Sequence, residues 1–151
     1  MQLRFKILIF LSFLIPNSLQ QRGKVFDFSD CSGFTNPAIS IEKIELDPQV
    51  PRSMENCKIS GTITSKSDEP IRLAFAKSNL KYMGLTIAKF TDSIEIILYP
   101  GESISDWKYL PTKYGPAGKY DIRVEMYDQS ARMVVCYNAC FILSKPAPTS
   151  E

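Results

Sequence analysis

The stretch YDIRVEMY, residues 120–127, constrains this chain more than any other. Tyr120, Ile122, Val124 and Met126 fall on one side of an extended backbone, and Asp121, Arg123 and Glu125 on the other. That is the period of a strand with one buried and one wet face; a helix would scatter the same side chains around its axis. The period recurs. In CKISGTITS, Cys57, Ile59, Gly61 and Ile63 share a face, and in IRLAFAK, Ile71, Leu73 and Phe75 do. AISIEKIEL changes phase at Glu42-Lys43, which predicts a bulge. GLTIAKF and SIEIILYP read as two further short runs, and MVVCYNACFIL closes the series. Breakers such as DPQVP and SKSDEP separate the runs, and no stretch carries a helical period. Seven or eight short strands, with turns about every 8 to 12 residues, predict an all-β, immunoglobulin-like antiparallel β-sandwich.

Residues 1–20 read as a secretory leader. Arg4 and Lys6 precede the apolar run Ile7–Pro16, which is shorter than the roughly 20 residues needed to span a bilayer. Residues 21–143 are then one domain, and SKPAPTSE, residues 144–151, reads as a disordered tail. The chain has 18 Lys and Arg against 16 Asp and Glu; without Arg4 and Lys6 the two counts are equal at 16. A neutral domain is not expected to bind nucleic acid. Histidine is absent, which removes Ser-His-Asp and Cys-His catalysis and imidazole-based zinc sites. Asp92, Glu95, Glu102 and Asp106 read as solvated surface rather than as a glycosidase pair. No enzyme activity, cofactor or metal is expected. No Asn-x-Ser/Thr acceptor is present, which favours secretion over delivery to a lysosome by a sugar tag.

From Ile71 to Thr91 there are four bases, Arg72, Lys77, Lys81 and Lys89, and no acid. Tyr82, Met83, Leu85, Ile87 and Phe90 lie among them. These bases either guard an exposed strand edge or form a basic rim around an apolar opening, suited to an anionic headgroup or membrane.

The four cysteines, in a secreted chain, predict two disulfides. Cys136 and Cys140 lie four apart on one strand, roughly 13 Å, while bridged Cα atoms lie within about 7 Å. They therefore pair with Cys31 and Cys57, in either of two crossed arrangements. Both point to the same side of their strand. C-x-x-x-C is also poor zinc spacing.

FSDCSG (28–33), ISIEKIELDPQVP, CKISGTI and GPAGKYDIRVEMYDQSARMVVCYNACFIL, in this order, resemble the ML (lipid-recognition) domain family, the family of the Niemann–Pick type C sterol-transfer protein, the group 2 mite allergens and the ganglioside activator. The resemblance implies two sheets that splay apart around a lipid cavity. It implies a Cys31–Cys136 bridge, which leaves Cys57–Cys140 as the second, although the family's small-loop disulfides are missing here. The function it implies is a secreted, non-catalytic, monomeric lipid-binding or lipid-transfer protein. It would hold a fatty acyl chain, sterol or glycolipid, touch membranes transiently, and present lipid to a receptor or hydrolase. The expected lining is Ile59, Ile63, Leu73, Phe75, Ile96, Leu98, Ile122, Val124 and Met126. Tyr137 and Phe141 join it if a two-residue hairpin loop precedes the last strand; a five-residue loop, Asp128 to Arg132, would place Cys136 beside Val124 instead. The rival is an immunoglobulin-like interaction module with a filled core.

Overall fold

Among the described residues, alternation is realised as eight strands. A computed structural model describes residues 26–149; the expected leader lies outside the described residues. The strands are β1 (Phe26–Asp30), β2 (Ile39–Asp47), β3 (Cys57–Ser65), β4 (Ile71–Tyr82), β5 (Leu85–Leu98), β6 (Ser103–Leu110), β7 (Gly118–Asp128) and β8 (Met133–Leu143). They form a five-stranded sheet, ordered β1-β8-β7-β4-β5, and a three-stranded sheet, ordered β2-β3-β6. All pairings are antiparallel, and the two sheets face each other as an immunoglobulin-like sandwich. A 3-10 turn, Pro111–Tyr114, joins β6 to β7.

One half of the interior is filled. The Tyr120 ring stacks on Phe141 at 5.2 Å and meets Tyr82 at 5.0 Å. The Tyr82 and Tyr120 hydroxyls donate to the carbonyls of Ala117 and Pro116, at 3.0 and 2.8 Å. Gly118 sits here at φ +148°, where a Cβ would lie 2.7 Å from the Tyr82 ring.

Bulges decide which side chains enter that interior. The expected bulge in β2 falls between Ile41 and Lys43. A second shift, between Leu73 and Phe75, corrects the reading of β4: Leu73 is buried, but Phe75 turns to the outer face and stacks on Tyr127 at 4.8 Å. GLTIAKF and SIEIILYP are one strand, β5, whose phase breaks near Glu95 at φ +50°. Between β7 and β8 the long loop is the one used, with Tyr127 opposite Met133. A shift between Met126 and Tyr127 then adds one residue to β8, so that Val124 faces Tyr137. The long loop plus one bulge gives the parity expected from the short loop. The tail begins as structure: Ser144 bridges to Arg52, and its N–H donates to the Pro51 carbonyl.

Cys31 and Cys136 are bridged, closing a separation of 105 residues. Cys57 and Cys140 are free thiols, which corrects the expected second bridge. Strand parity is the reason. Cys57 joins Ile59 and Ile63 on the inner face of the small sheet. Cys140 is out of phase with the buried Ala139 and Phe141, so it lies on the outer face of the large sheet, beside Asp27 and Asp121. The large sheet stands between the two sulfurs. Burial pushes the Cys57 thiol up to about 11.

Two outcomes follow. Unfolded without reductant, the protein should label with maleimide at Cys57 and Cys140 only, and replacing both Cys31 and Cys136 by Ala should cost about 3–5 kcal/mol in urea unfolding. At the β7–β8 turn the Asp128 carboxylate accepts from the N–H groups of Arg132 and Ser130 and from the Arg132 guanidinium, at 3.0, 2.9 and 2.9 Å. These bonds, the Arg132 N–H first, hold its carboxyl below the usual range. Its contribution is therefore complete above the unfolded carboxylate value, about 3.9, and is lost as pH falls through the lower folded value. Asp128→Asn should flatten that acid limb of the stability curve, measured by urea midpoints below about pH 4.5.

Candidate functional site

The other half of the interior is not filled. Three inward positions there are small: Gly61 on β3, and Ala76 and Ser78 on β4. Sheets in a sandwich lie about 10 Å apart, so small side chains on both faces leave a gap. The gap is a cavity of about 460 Å³. Ile44, Ile59, Ile63 and Ile104 wall it from the small sheet, and Leu73, Ala76, Ile94, Ile96, Val124 and Met126 from the large one.

The cavity opens between β5 and β6. Each ends its own sheet, and they are not hydrogen-bonded to each other. Asp92 on β5 and Asp106 and Lys108 on β6 stand at this mouth, all exposed. The Lys108 ammonium reaches the Asp92 carboxylate at 3.3 Å and lies 6.0 Å from the Phe90 ring centre. It is the one ion pair found spanning the mouth among the described residues. Both partners are about half exposed, so the pair is weak and can part.

Of the expected lining, Ile59, Ile63, Leu73, Ile96, Val124, Met126 and Tyr137 border the cavity. Leu98, Ile122 and Phe141 do not: they are packed in closed core, at 0%, 4% and 1% exposure. Phe75 lies on the outer face, under the Lys77 ammonium. The basic residues also leave the mouth. Lys77 and Lys89 lie on the outer face of the large sheet beside Asn79, around a shallow groove that also holds Arg123 and Glu125. Lys81 faces outward opposite Asp121. Arg72 sits nine residues up the same strand from Lys81, roughly 30 Å away, beside the β7–β8 turn. These four do not form one rim.

The mouth carries no local sequence signal, because its polar residues look like solvated surface, and exposed they are. Asp106 and Lys108 occupy inward positions of β6, opposite Gly61 and Ile59. Trp107 and Tyr109 point outward, where Lys58 lies 5.1 Å over the indole. The alternation of SISDWKYL is inverted at the opening, so β6 gave no strand signal. Small residues on strand faces were the available clue to the cavity; Gly61 already stood on the inward face of CKISGTITS.

Two polar side chains lie deeper on the wall. Ser78 is 3% exposed, and its hydroxyl has no hydrogen-bond partner. Tyr137 stands opposite Val124, and burial pushes its phenol up to about 12.

No protein-family model matches the chain, and no curated protein matches it in sequence. Solved structures share the fold. A Niemann-Pick type C2 protein from the Japanese carpenter ant matches with a TM-score of 0.56 at 14% identity, over 78% of this chain and 99% of that one. Chicken MD-1 complexed with lipid IVa matches at 0.51 and 16%, over 78% and 88%. The C-terminal domain of wzt matches at 0.57 and 10%, over 89% and 88%. At these identities the likeness concerns the sandwich, and a fold alone does not fix what it holds.

Removing the Lys108 ammonium should loosen the mouth without unfolding the protein. Lys108→Ala should speed the uptake of the neutral dye Nile red several-fold in stopped-flow fluorescence. The urea midpoint should shift by the equivalent of less than about 1 kcal/mol.

Proposed function

We propose that this protein is a secreted, non-catalytic lipid-binding and lipid-transfer protein that holds an acyl chain or sterol between its two sheets. The observation that carries the reading is the cavity: about 460 Å³, walled by aliphatic side chains and open between β5 and β6. Protein interiors are normally filled, and ligand pockets run from about 300 to 1,000 Å³. Each methylene buried there contributes about 0.8 kcal/mol. The ML-family motifs support the reading. So do two of the structures that share the fold, a Niemann-Pick type C2 protein and an MD-1 holding lipid IVa. The Cys31–Cys136 bridge fits an oxidising compartment, outside the cell or in a lumen.

Transfer requires contact with a membrane, and the β4–β5 turn is suited to it. Met83 and Leu85 are 63% and 74% exposed, and Ile87 and Phe90 follow them on the strand that borders the mouth. Lys81 and Lys89 flank this apolar tip and supply charge for an anionic surface. Arg72, at the far end of β4, takes no part.

Val124→Trp separates a lipid cavity from a filled core. In a filled core the indole overpacks and costs on the order of 1–3 kcal/mol. In the cavity it occupies ligand space. Thermal stability of the ligand-free variant should then change little, while uptake of a fluorescent fatty acid or sterol analogue falls sharply. A large loss of melting temperature, with no lipid uptake by the unmutated protein, would favour the interaction module.

A further inference from the structure

Ser78 lies in an inward row across the large sheet: Phe90 on β5, Ser78 on β4, Val124 on β7 and Tyr137 on β8. Its neighbours along β4 on that face are Ala76 and Leu80. The side chains directly beside it, Phe90, Val124, Ala76 and Leu80, are thus all apolar, and Tyr137 stands two strands away, roughly 10 Å. The hydroxyl is buried and unpartnered, and Ser78 is among the residues that line the cavity. Buried polar groups in native proteins are nearly always partnered, and an orphan has to be explained.

We propose that the Ser78 hydroxyl is the recognition point for one uncharged oxygen of the ligand, so that the cavity selects a neutral, singly oxygenated lipid whose oxygen lies inside. This rests on the lipid-cavity reading and narrows its substrate class to long-chain alcohols, sterols and their carbonyl analogues. A serine hydroxyl both donates and accepts, so it serves either an alcohol or a carbonyl. A carboxylate or phosphate is a poor fit at this depth. Among the described residues lining the cavity Lys108 is the only base, and it stands at the mouth. An anion beside Ser78 would be buried without a counter-charge. Anionic lipids would therefore have to keep their headgroup outside, beside Lys108, and leave Ser78 unserved.

The test compares three fluorescent probes of one shape: 1-pyrenebutanol, 1-butylpyrene and 1-pyrenebutyrate. The unmutated protein should bind the alcohol about tenfold more tightly than the hydrocarbon, the effect of one neutral hydrogen bond. Ser78→Ala should abolish that preference while leaving butylpyrene affinity within about twofold. Its ligand-free unfolding midpoint should hold or rise, because an orphan hydroxyl has been removed; a merely structural serine would lower it. The proposal is overturned if the alcohol preference survives Ser78→Ala. It is equally overturned if the unmutated protein binds alcohol and hydrocarbon alike, which would mean that cavity water serves the hydroxyl. Tightest binding of pyrenebutyrate, lost in Lys108→Ala, would place the headgroup at the mouth and also overturn it. Uptake of none of the three would overturn the lipid-cavity reading itself, whereas uptake of butylpyrene without the alcohol preference defeats only the role of Ser78.

Discussion

Parity along β8 sets the rest of the molecule. A strand shows alternate side chains to opposite faces, so one residue more or fewer exchanges the whole inside for the outside. The turn held by Asp128 and Arg132 would by itself have put Cys136 and Asn138 in the core. The extra residue in β8 reverses this, and Val135, Tyr137, Ala139, Phe141 and Leu143 become the inner face. Phe141 then meets Tyr120 and closes one half of the sandwich. Cys136 moves to the outer face, where the segment after β1 can reach it and form the bridge.

That arrangement gives the sandwich a fixed side and a loose side. The bridge and the β1–β8 pairing lie at one edge of the large sheet, and β5 lies at the other. At the loose side, two unpaired edges face each other across Gly61, Ala76 and Ser78, with one exposed ion pair between them. Weak closure there fits a site that must admit and release an occupant, while the covalent tie at the far edge pins the segment after β1 to β8 within the large sheet.

Much of this was legible in the chain. The fold class followed from YDIRVEMY and its companion runs, and the β2 bulge from the phase change at Glu42-Lys43. Two things were hidden, each for a physical reason. Bulges opposite Phe75 and within β5 are set by cross-strand pairing, so local alternation placed Phe75 on the wrong face. At the mouth the inward positions are wet, so β6 carries charge where a buried strand would carry aliphatics. Cys57–Cys140 was inferred by elimination, yet the alternation already argued against it. Cys57 shares a face with Ile59 and Ile63, and Cys140 is out of phase with Phe141.

The size of the cavity bears on what must fill it. An apolar void left dry costs about 24 cal/mol per Å³, so 460 Å³ would cost on the order of 10 kcal/mol. That is comparable with the whole stability of a domain, about 5–15 kcal/mol. The cavity therefore holds either water or an apolar occupant. Water needs two to four polar partners, and past the mouth the walls offer little beyond the hydroxyls of Ser78 and Tyr137. An aliphatic body in the cavity would have Ile44, Ile59, Ile63, Ile96, Val124 and Met126 around it and would restore the contacts that Gly61, Ala76 and Ser78 leave unmade. An occupant that bound the folded state alone would also stabilise it by mass action, and would so become part of what holds the two sheets in register.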